Sequence, residues 1–279
     1  MALKIATDIG GTFTDLVAFD VVRGELLVAK ASSTPPDFAA GIHAAIDRSG
    51  LPLTAIETFL HGSTVVINAI TERKGARTAL VTTHGFRDVL GIGRATRPAL
   101  YDLRFRKQAP FIPRALRFEV RERVDFEGNV IEPLDEPSVL DVAERLRTHA
   151  VEAVGICFLH AYANPTHERH CAELLREHLP GVAISTSSAI SQEWREYERS
   201  NTVALNAYVQ PVAAGYLHDL DAQLRERGFQ GDVRIMKSGG GTATLEEAAA
   251  QPIHLVESGP VGGVIGANAV GKALNLSNL

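Results

Sequence analysis

Short runs of alternating apolar and polar residues, separated by glycine and proline, open the chain. Residues 3–7, 15–21 and 25–29 each read as a strand, with a Gly-Gly turn between the first two. Together they predict an antiparallel meander. The period then changes. Phe38, Ile42, Ala45 and Ile46 fall at helical spacing, so a helix is expected over 36–48, after the Pro35-Pro36 punctuation. Residues 57–60 form a short strand, and 65–74 a helix that Gly75 should stop. Residues 77–81 are again strand-like.

The middle of the chain alternates more regularly. After a Pro- and Arg-rich stretch without clear period (91–117), residues 118–124 alternate apolar and charged, as in a half-exposed strand. Glu127-Gly128-Asn129 is a turn. Residues 138–149 form an amphipathic helix, and 153–159 a continuous apolar run, the mark of a buried central strand. A helix from Asn164-Pro165 to about Leu179 and a strand over 182–185 complete a β-α-β-α-β rhythm, which predicts an α/β layered domain. Beyond 185 two successive helices are expected (196–208 and 211–227), then a strand at 233–236 and a short helix at 245–250. A strand at 254–257 and a Gly/Ala-rich helix from Ser258 to about Leu274 follow. The change of character places a domain boundary near 185, giving domains 1–185 and 186–279.

Composition narrows the function classes. The chain has 279 residues, 45% of them hydrophobic, enough for one large core or two ordinary ones. A net charge of −5 gives no electrostatic footprint for nucleic acid. No run reaches the roughly 18 apolar residues of a membrane span, and the N-terminus enters a strand without a signal-peptide pattern. Cys157 and Cys171 are the only cysteines, so a reduced, cytoplasmic setting is expected.

The densest chemistry lies in Asp8-Ile9-Gly10-Gly11-Thr12-Phe13-Thr14-Asp15. Glycines let a backbone approach a polyphosphate, and the amides of such a turn can line an anion site. Thr12 and Thr14 add hydroxyls, and Asp8 and Asp15 are carboxylates able to position Mg²⁺. An ordinary Gly-Gly hairpin with polar flanks is the plain alternative. Other candidates are equally two-sided. His61-Gly62-Ser63-Thr64 precedes a helix and either holds a phosphate or substrate carbonyl or simply caps the helix. Gly240 and Gly241, after a strand, either approach a ligand or form a flexible turn. Ser258-Gly259-Pro260 opens a helix in the same manner. Gly266 to Ala273 resembles a P-loop but lacks the final hydroxyl and lies in a helix, so it is rejected. His160, His167 and His170 lack a zinc pattern and read as surface or capping residues.

The octet resembles the first phosphate loop of the actin-like ATPase superfamily, in the form found in the hydantoinase A / 5-oxoprolinase family. His61 to Ala69, Thr83 to Asp88, Tyr101-Asp102-Leu103, Arg117 to Val120 with Glu122-Arg123, and Asn164 to Glu168 resemble the same family, in the same order. So do Glu196 to Arg199, Asn206 to Pro211, and Ser258 to Gly263. Ser63 and Ile67 depart from the commoner threonines, and Ile67 leaves any hydroxyl contact there in doubt.

The resemblance implies an α/β, actin-like (ribonuclease H-like) lobe with a mixed sheet flanked by helices, plus the start of a second α/β domain. It implies ATP-dependent hydrolysis of a cyclic amide of the 5-oxoproline or N-methylhydantoin type, through phosphorylation of the amide oxygen. Asp8 and Asp15 would hold Mg²⁺, and Gly10, Gly11, Thr12 and Thr14 the phosphates. Ser258, Gly259 and Gly262 would lie near the nucleotide with Gly240 and Gly241, and His61 would face substrate. A hydantoinase B-like subunit is the implied partner. Related branches phosphorylate ketones for carboxylation, and a non-catalytic nucleotide-binding or assembly module is the reading from another class. A sugar kinase would share the loop but not the later motifs. Family members carry a second phosphate loop beyond this length, so weak or absent activity is expected of these 279 residues alone.

Overall fold

A computed structural model describes residues 3–34, 38–96, 99 and 101–276. The chain forms two compact units. The described residues of Met1–Glu72 and Val212–Leu279 make one, and those of Arg73–Pro211 the other. These units are cut elsewhere than the division read near residue 185.

In chain order, the first unit begins with β1 (Leu3–Ile9), β2 (Phe13–Asp20), β3 (Glu25–Ser32), α1 (Phe38–Ser49), β4 (Ile56–Ser63) and α2 (Val65–Thr71). The second contains β5 (Thr78–Thr83), α3 (Val89–Ile92), β6 (Arg117–Val120), β7 (Arg123–Val124), β8 (Val130–Glu132), α4 (Glu136–Thr148), β9 (Ala153–Cys157), α5 (Thr166–His178), β10 (Ala183–Thr186) and α6 (Ser187–Ile190). Then α7 (Glu196–Glu226) gives its residues to 211 to the second unit and the rest to the first. The first unit finishes with β11 (Asp232–Met236), β12 (Thr242–Thr244), α8 (Leu245–Ala250) and α9 (Ser258–Ala273).

The expected meander is present. β1, β2 and β3 pair antiparallel, β4 adds parallel to β1, and β11 adds parallel to β4, in a six-stranded sheet ordered β12-β11-β4-β1-β2-β3. This mixed sheet with flanking helices is the α/β architecture expected. Strict alternation sends Leu3, Ile5, Thr7 and Ile9 of β1 to one face and Lys4, Ala6 and Asp8 to the other. The first face carries the core. Ile5, Leu16 and Phe59 are buried in the same unit as Ile42 and Ile46 of α1 and Leu217, Leu220 and Leu224 of α7. Gly41 permits the close seat of α1, since a Cβ there would lie 2.8 Å from Thr14 Oγ1.

The second unit is built on a parallel four-stranded sheet ordered β10-β9-β5-β6. β9, the continuous apolar run, is buried throughout and lies in the interior of the sheet, as expected. Two buried acids sit beside it. Glu168 accepts hydrogen bonds from Phe158 N (2.9 Å), Ser187 Oγ (2.6 Å) and Ser188 N (2.8 Å). Arg199 donates to Ser187 Oγ (2.9 Å) and to Phe158 O (2.8 Å). Glu122 accepts from Thr83 Oγ1 and pairs with His167 Nδ1 at 2.8 Å.

Several expectations fail for identifiable reasons. The strand over 118–124 is two strands, β6 and β7, because the chain turns at Arg121 and Glu122 to bury the Glu122 carboxylate. His167, read as a surface or capping residue, is the buried partner of that carboxylate. The two helices expected around Pro211 are one. Val203, Ala204 and Ala207 before the proline, and Ala213, Leu217 and Leu220 after it, stay buried at helical spacing. Their burial outweighs the roughly 3 kcal/mol that an interior proline costs. The strand at 254–257 is instead a 3₁₀ turn, Pro252–Leu255, whose His254 carbonyl accepts from Ser238 N at 2.7 Å. The start of the helix expected at 36 lies outside the described residues.

Gly75 does not end α2, which stops at Thr71. It is needed for another reason. A Cβ at position 75 would lie 2.3 Å from Tyr208 Cε1 and 2.5 Å from the Tyr208 carbonyl oxygen, and backbone cannot rotate away. Gly75→Ala is therefore expected to lower unfolding stability by about 1–3 kcal/mol, read as a reduced urea midpoint at unchanged slope. An unchanged midpoint would refute the close approach.

Candidate active site around the Asp8–Asp15 pair

The β1–β2 register pairs Asp8 directly with Asp15, and the neighbouring pairings place Gly62 opposite Asp8 and Lys30 opposite Asp15. Directly paired residues share a face. The row Gly62, Asp8, Asp15, Lys30 thus runs across four adjacent strands on the face away from α1. Gly62 leaves space for the first carboxylate, since a Cβ there would stand 3.1 Å from Asp8 Oδ1. Lys30 Nζ lies 2.9 Å from Asp15 Oδ1. The pKa of Asp8 is raised, first by loss of hydration and second by the neighbouring charge of Asp15. A bound cation would relieve both effects.

The turn between these strands is pinned from within. Gly10 N donates to Phe13 O (2.9 Å), Ser33 Oγ donates to Gly10 O (2.8 Å), and Ser33 N donates to Thr12 O (2.9 Å). The amides of Gly11 and Thr12 have no hydrogen-bond acceptor among the described residues, and both residues are exposed. Nothing lies within 4 Å of a Cβ built on Gly11, so the tip is open to a ligand.

A cavity of about 450 Å³ adjoins the pair, lined by Asp8, Asp15, Gly62, Met236 and residues of α9 including Ser258, Gly259 and Gly262. Ser258 is buried, and its Oγ has no hydrogen-bond partner. Its helix begins without a side-chain cap, which leaves amide donors at the helix start. The cavity therefore offers carboxylates suited to a hard cation and a helix N-terminus suited to an anion. Two carboxylates are a partial coordination set. That fits Mg²⁺, which usually takes one or two carboxylates with waters and substrate phosphates. No cluster of three or more metal-ligating side chains occurs among the described residues.

Three groups of sequence candidates fall elsewhere. Thr14 is fully buried, with Oγ1 3.2 Å from Ser33 Oγ, because alternation turns it away from Asp15. His61 is also fully buried on the α1 face, with Nδ1 3.0 Å from Thr7 Oγ1 and Nε2 2.8 Å from Tyr216 OH. Burial pushes its pKa down to about 4, so it stays neutral. Gly240 and Gly241 shape the β11–β12 hairpin, with φ of 80° and 74°, and do not line the cavity. The strand β12 after them was not anticipated. Nor were Lys30, Gly62 and Met236 as neighbours of the acidic pair.

With this geometry in view, comparison with known proteins is direct. Residues 4–179 match the hydantoinase/oxoprolinase N-terminal region, and residues 199–279 match hydantoinase/oxoprolinase. The chain belongs to the hydantoinase/oxoprolinase family. A family relative in Methanocaldococcus jannaschii, itself uncharacterized, is 39% identical over 99% of this chain. The ATP-dependent caprolactamase of Pseudomonas jessenii superposes with a TM-score of 0.84 at 29% identity, over 97% of this chain and 40% of that one. A nucleotide-free acetone carboxylase superposes with a TM-score of 0.86 at 30% identity, over 98% and 41%. The chain spans 41% of the length of the Methanocaldococcus relative.

The buried imidazole yields a pH prediction. An unfolded chain protonates His61 near its ordinary value, while the folded chain resists until about pH 4. Between those values the unfolded state holds the extra proton, so stability falls as pH falls through the window. The loss is expected to total roughly 3 kcal/mol. Urea unfolding from pH 7 to 4 should show this dependence, and His61→Gln should flatten it. An equal slope in the variant would exclude the assignment.

Proposed function

We propose that this site binds ATP with Mg²⁺ and uses it to open a cyclic amide, the substrate being of the lactam, 5-oxoproline or hydantoin type. One observation carries the reading. Asp8 and Asp15 stand side by side on one cavity, whose wall also holds the uncapped start of α9 with an unpartnered Ser258 hydroxyl. A magnesium polyphosphate carries both kinds of charge that these groups bind. Membership of the family and the likeness to an ATP-dependent caprolactamase support the choice of chemistry.

In this reading the γ-phosphoryl group passes from ATP to the amide oxygen, and ADP leaves. The carbon is then open to water. Water adds to it, and the ring C–N bond of the adduct breaks as the nitrogen takes up a proton, which leaves an acyl phosphate. A second water then releases inorganic phosphate and leaves the carboxylate of the ring-opened acid. Transfer of this kind depends mainly on positioning and charge stabilisation. Asp8 and Asp15 would hold Mg²⁺, which screens the phosphate charges. The open amides of Gly11 and Thr12 and the start of α9 would orient the phosphates, and Gly62 leaves the Asp8 carboxylate its space.

A second reading, phosphorylation of a ketone for carboxylation, is favoured by the equally strong likeness to acetone carboxylase. A hydantoinase B-like partner is part of both readings, since curated relatives include caprolactamase subunit alpha and acetone carboxylase beta subunit. Among the described residues, no helix is long and apolar enough to cross a membrane.

ATP hydrolysis by the protein with its partner subunit, assayed against cyclic amides and against ketones with bicarbonate, separates the two. Stimulation by a cyclic amide is the expected result. Asp8→Asn and Asp15→Asn should each reduce stimulated turnover by about 10²–10³-fold at unchanged thermal stability. Near-normal turnover in Asp8→Asn would sink the assignment of the site, and stimulation by ketones alone would move the chemistry to carboxylation.

A further inference from the structure

Resting on that reading of the site, the structure points to a further residue. We infer that Lys30 is a positioning residue for the polyphosphate. In the geometry seen it holds Asp15, and when a divalent cation takes over that carboxylate its ammonium turns to a phosphate oxygen.

The charges at the site motivate this. Two adjacent carboxylates and a triphosphate repel each other, so binding needs positive charge from more than one source. None of the described residues lining the cavity is a lysine, arginine or histidine. Lys30 is the basic residue in contact with the acidic pair, at 2.9 Å from Asp15 Oδ1. Its position is fixed by register and not by chance. It is the direct cross-strand partner of Asp15, which is the direct partner of Asp8. The ammonium also lies 4.9 Å from the centroid of the Phe13 ring, on the same face beside the open turn.

An ordinary exposed cross-strand ion pair would look similar, and such pairs contribute little. The lysine differs in what it can do next. Its stem is long and freely rotating, it has three donors, and Asp15 uses one contact. Its side chain is 55% exposed, so substitution is not expected to disturb folding.

The test is calorimetric. ATP affinity in the presence of Mg²⁺, and Mn²⁺ affinity without nucleotide, are measured for the parent protein, Lys30→Met, Lys30→Gln and Lys30→Arg, with thermal unfolding as the folding check. Loss of a charge-assisted contact to phosphate should weaken ATP binding about tenfold in Lys30→Met and Lys30→Gln. Mn²⁺ alone should bind these variants more tightly, because Asp15 is released. Lys30→Arg should recover most of the ATP affinity. A lysine that only pairs with Asp15 would raise Mn²⁺ affinity when removed and leave ATP affinity unchanged. If the parent binds ATP while both neutral variants match it within twofold, Lys30 has no such role and the nucleotide site stands. If the parent itself binds no ATP, the nucleotide reading fails and this inference fails with it.

Discussion

The register of the first hairpin is the constraint on which the site depends. A slip of one residue between β1 and β2 would exchange faces along the slipped strand. Asp15 would then face α1 and Thr14 the cavity. What prevents this is the core: Leu16 and Ala18 of β2 and Ile5 and Ile9 of β1 are all nearly inaccessible. Each such side chain contributes about 1–3 kcal/mol by burial, and a slip would expose several at once. The pairing of two like charges, unfavourable in itself, is therefore held by hydrophobic alternation on the opposite face.

The same alternation explains what could be read from the sequence. The opening meander, the buried strand β9 and the helices α4, α5 and α8 follow from local period and from turn residues. The Gly-Gly turn stands out in the sequence because glycines, hydroxyls and carboxylates crowd into one octet. That Thr14 and His61 are buried on the α1 face follows from alternation, which composition does not show: Thr14 and Asp15 are adjacent in a strand and so point apart. Lys30 was legible in principle, since it is opposite Asp15 in the second hairpin. The turn at Gly24, where φ is 71°, sets that pairing. What no local pattern could show was tertiary. The run of α7 through Pro211 depends on apolar neighbours distant in sequence. The break between β6 and β7 depends on His167, 45 residues beyond Glu122. The path of α9 along the acidic pair depends on packing, although its glycines were visible.

Most buried polar groups in both units have partners. Around β9, every buried carboxylate is answered. Glu168 receives three donors, one carboxylate oxygen of Glu122 receives a hydroxyl and the other an imidazole, and Arg199 closes the network. Burial holds the pKa of Glu168 above its ordinary value, and its hydrogen-bond donors offset only part of that rise. The Nε of Arg199 lacks a partner, but with its carboxylates answered this network fixes a core without offering it to a ligand. His61 belongs to the same class despite its place in a family motif, because Thr7 and Tyr216 occupy both ring nitrogens.

Asp8, exposed on its strand, is placed differently. No donor among the described residues reaches its carboxylate, its nearest charged neighbour is another acid, and the cavity wall takes away part of its hydration. Ser258 lines the same cavity, and its hydroxyl is buried without a partner. An unanswered hydroxyl costs about 1–3 kcal/mol when buried, and Ala in place of Ser258 would avoid it. The Asp8 carboxylate is open to solvent, and Asn in its place would remove the repulsion from Asp15. Both groups lack hydrogen-bond partners and line one cavity, and the turn after Asp8 has free amides. That arrangement fits a molecule whose hydrogen bonds and charge complete theirs. The bulk that would fill this space is also left out. Gly62 carries no side chain beside Asp8, and Gly259 and Gly262 carry none along α9. Any ligand that satisfies these groups together must present a cationic centre to the acids and acceptor oxygens to the helix start, and a metal-bound polyphosphate has both.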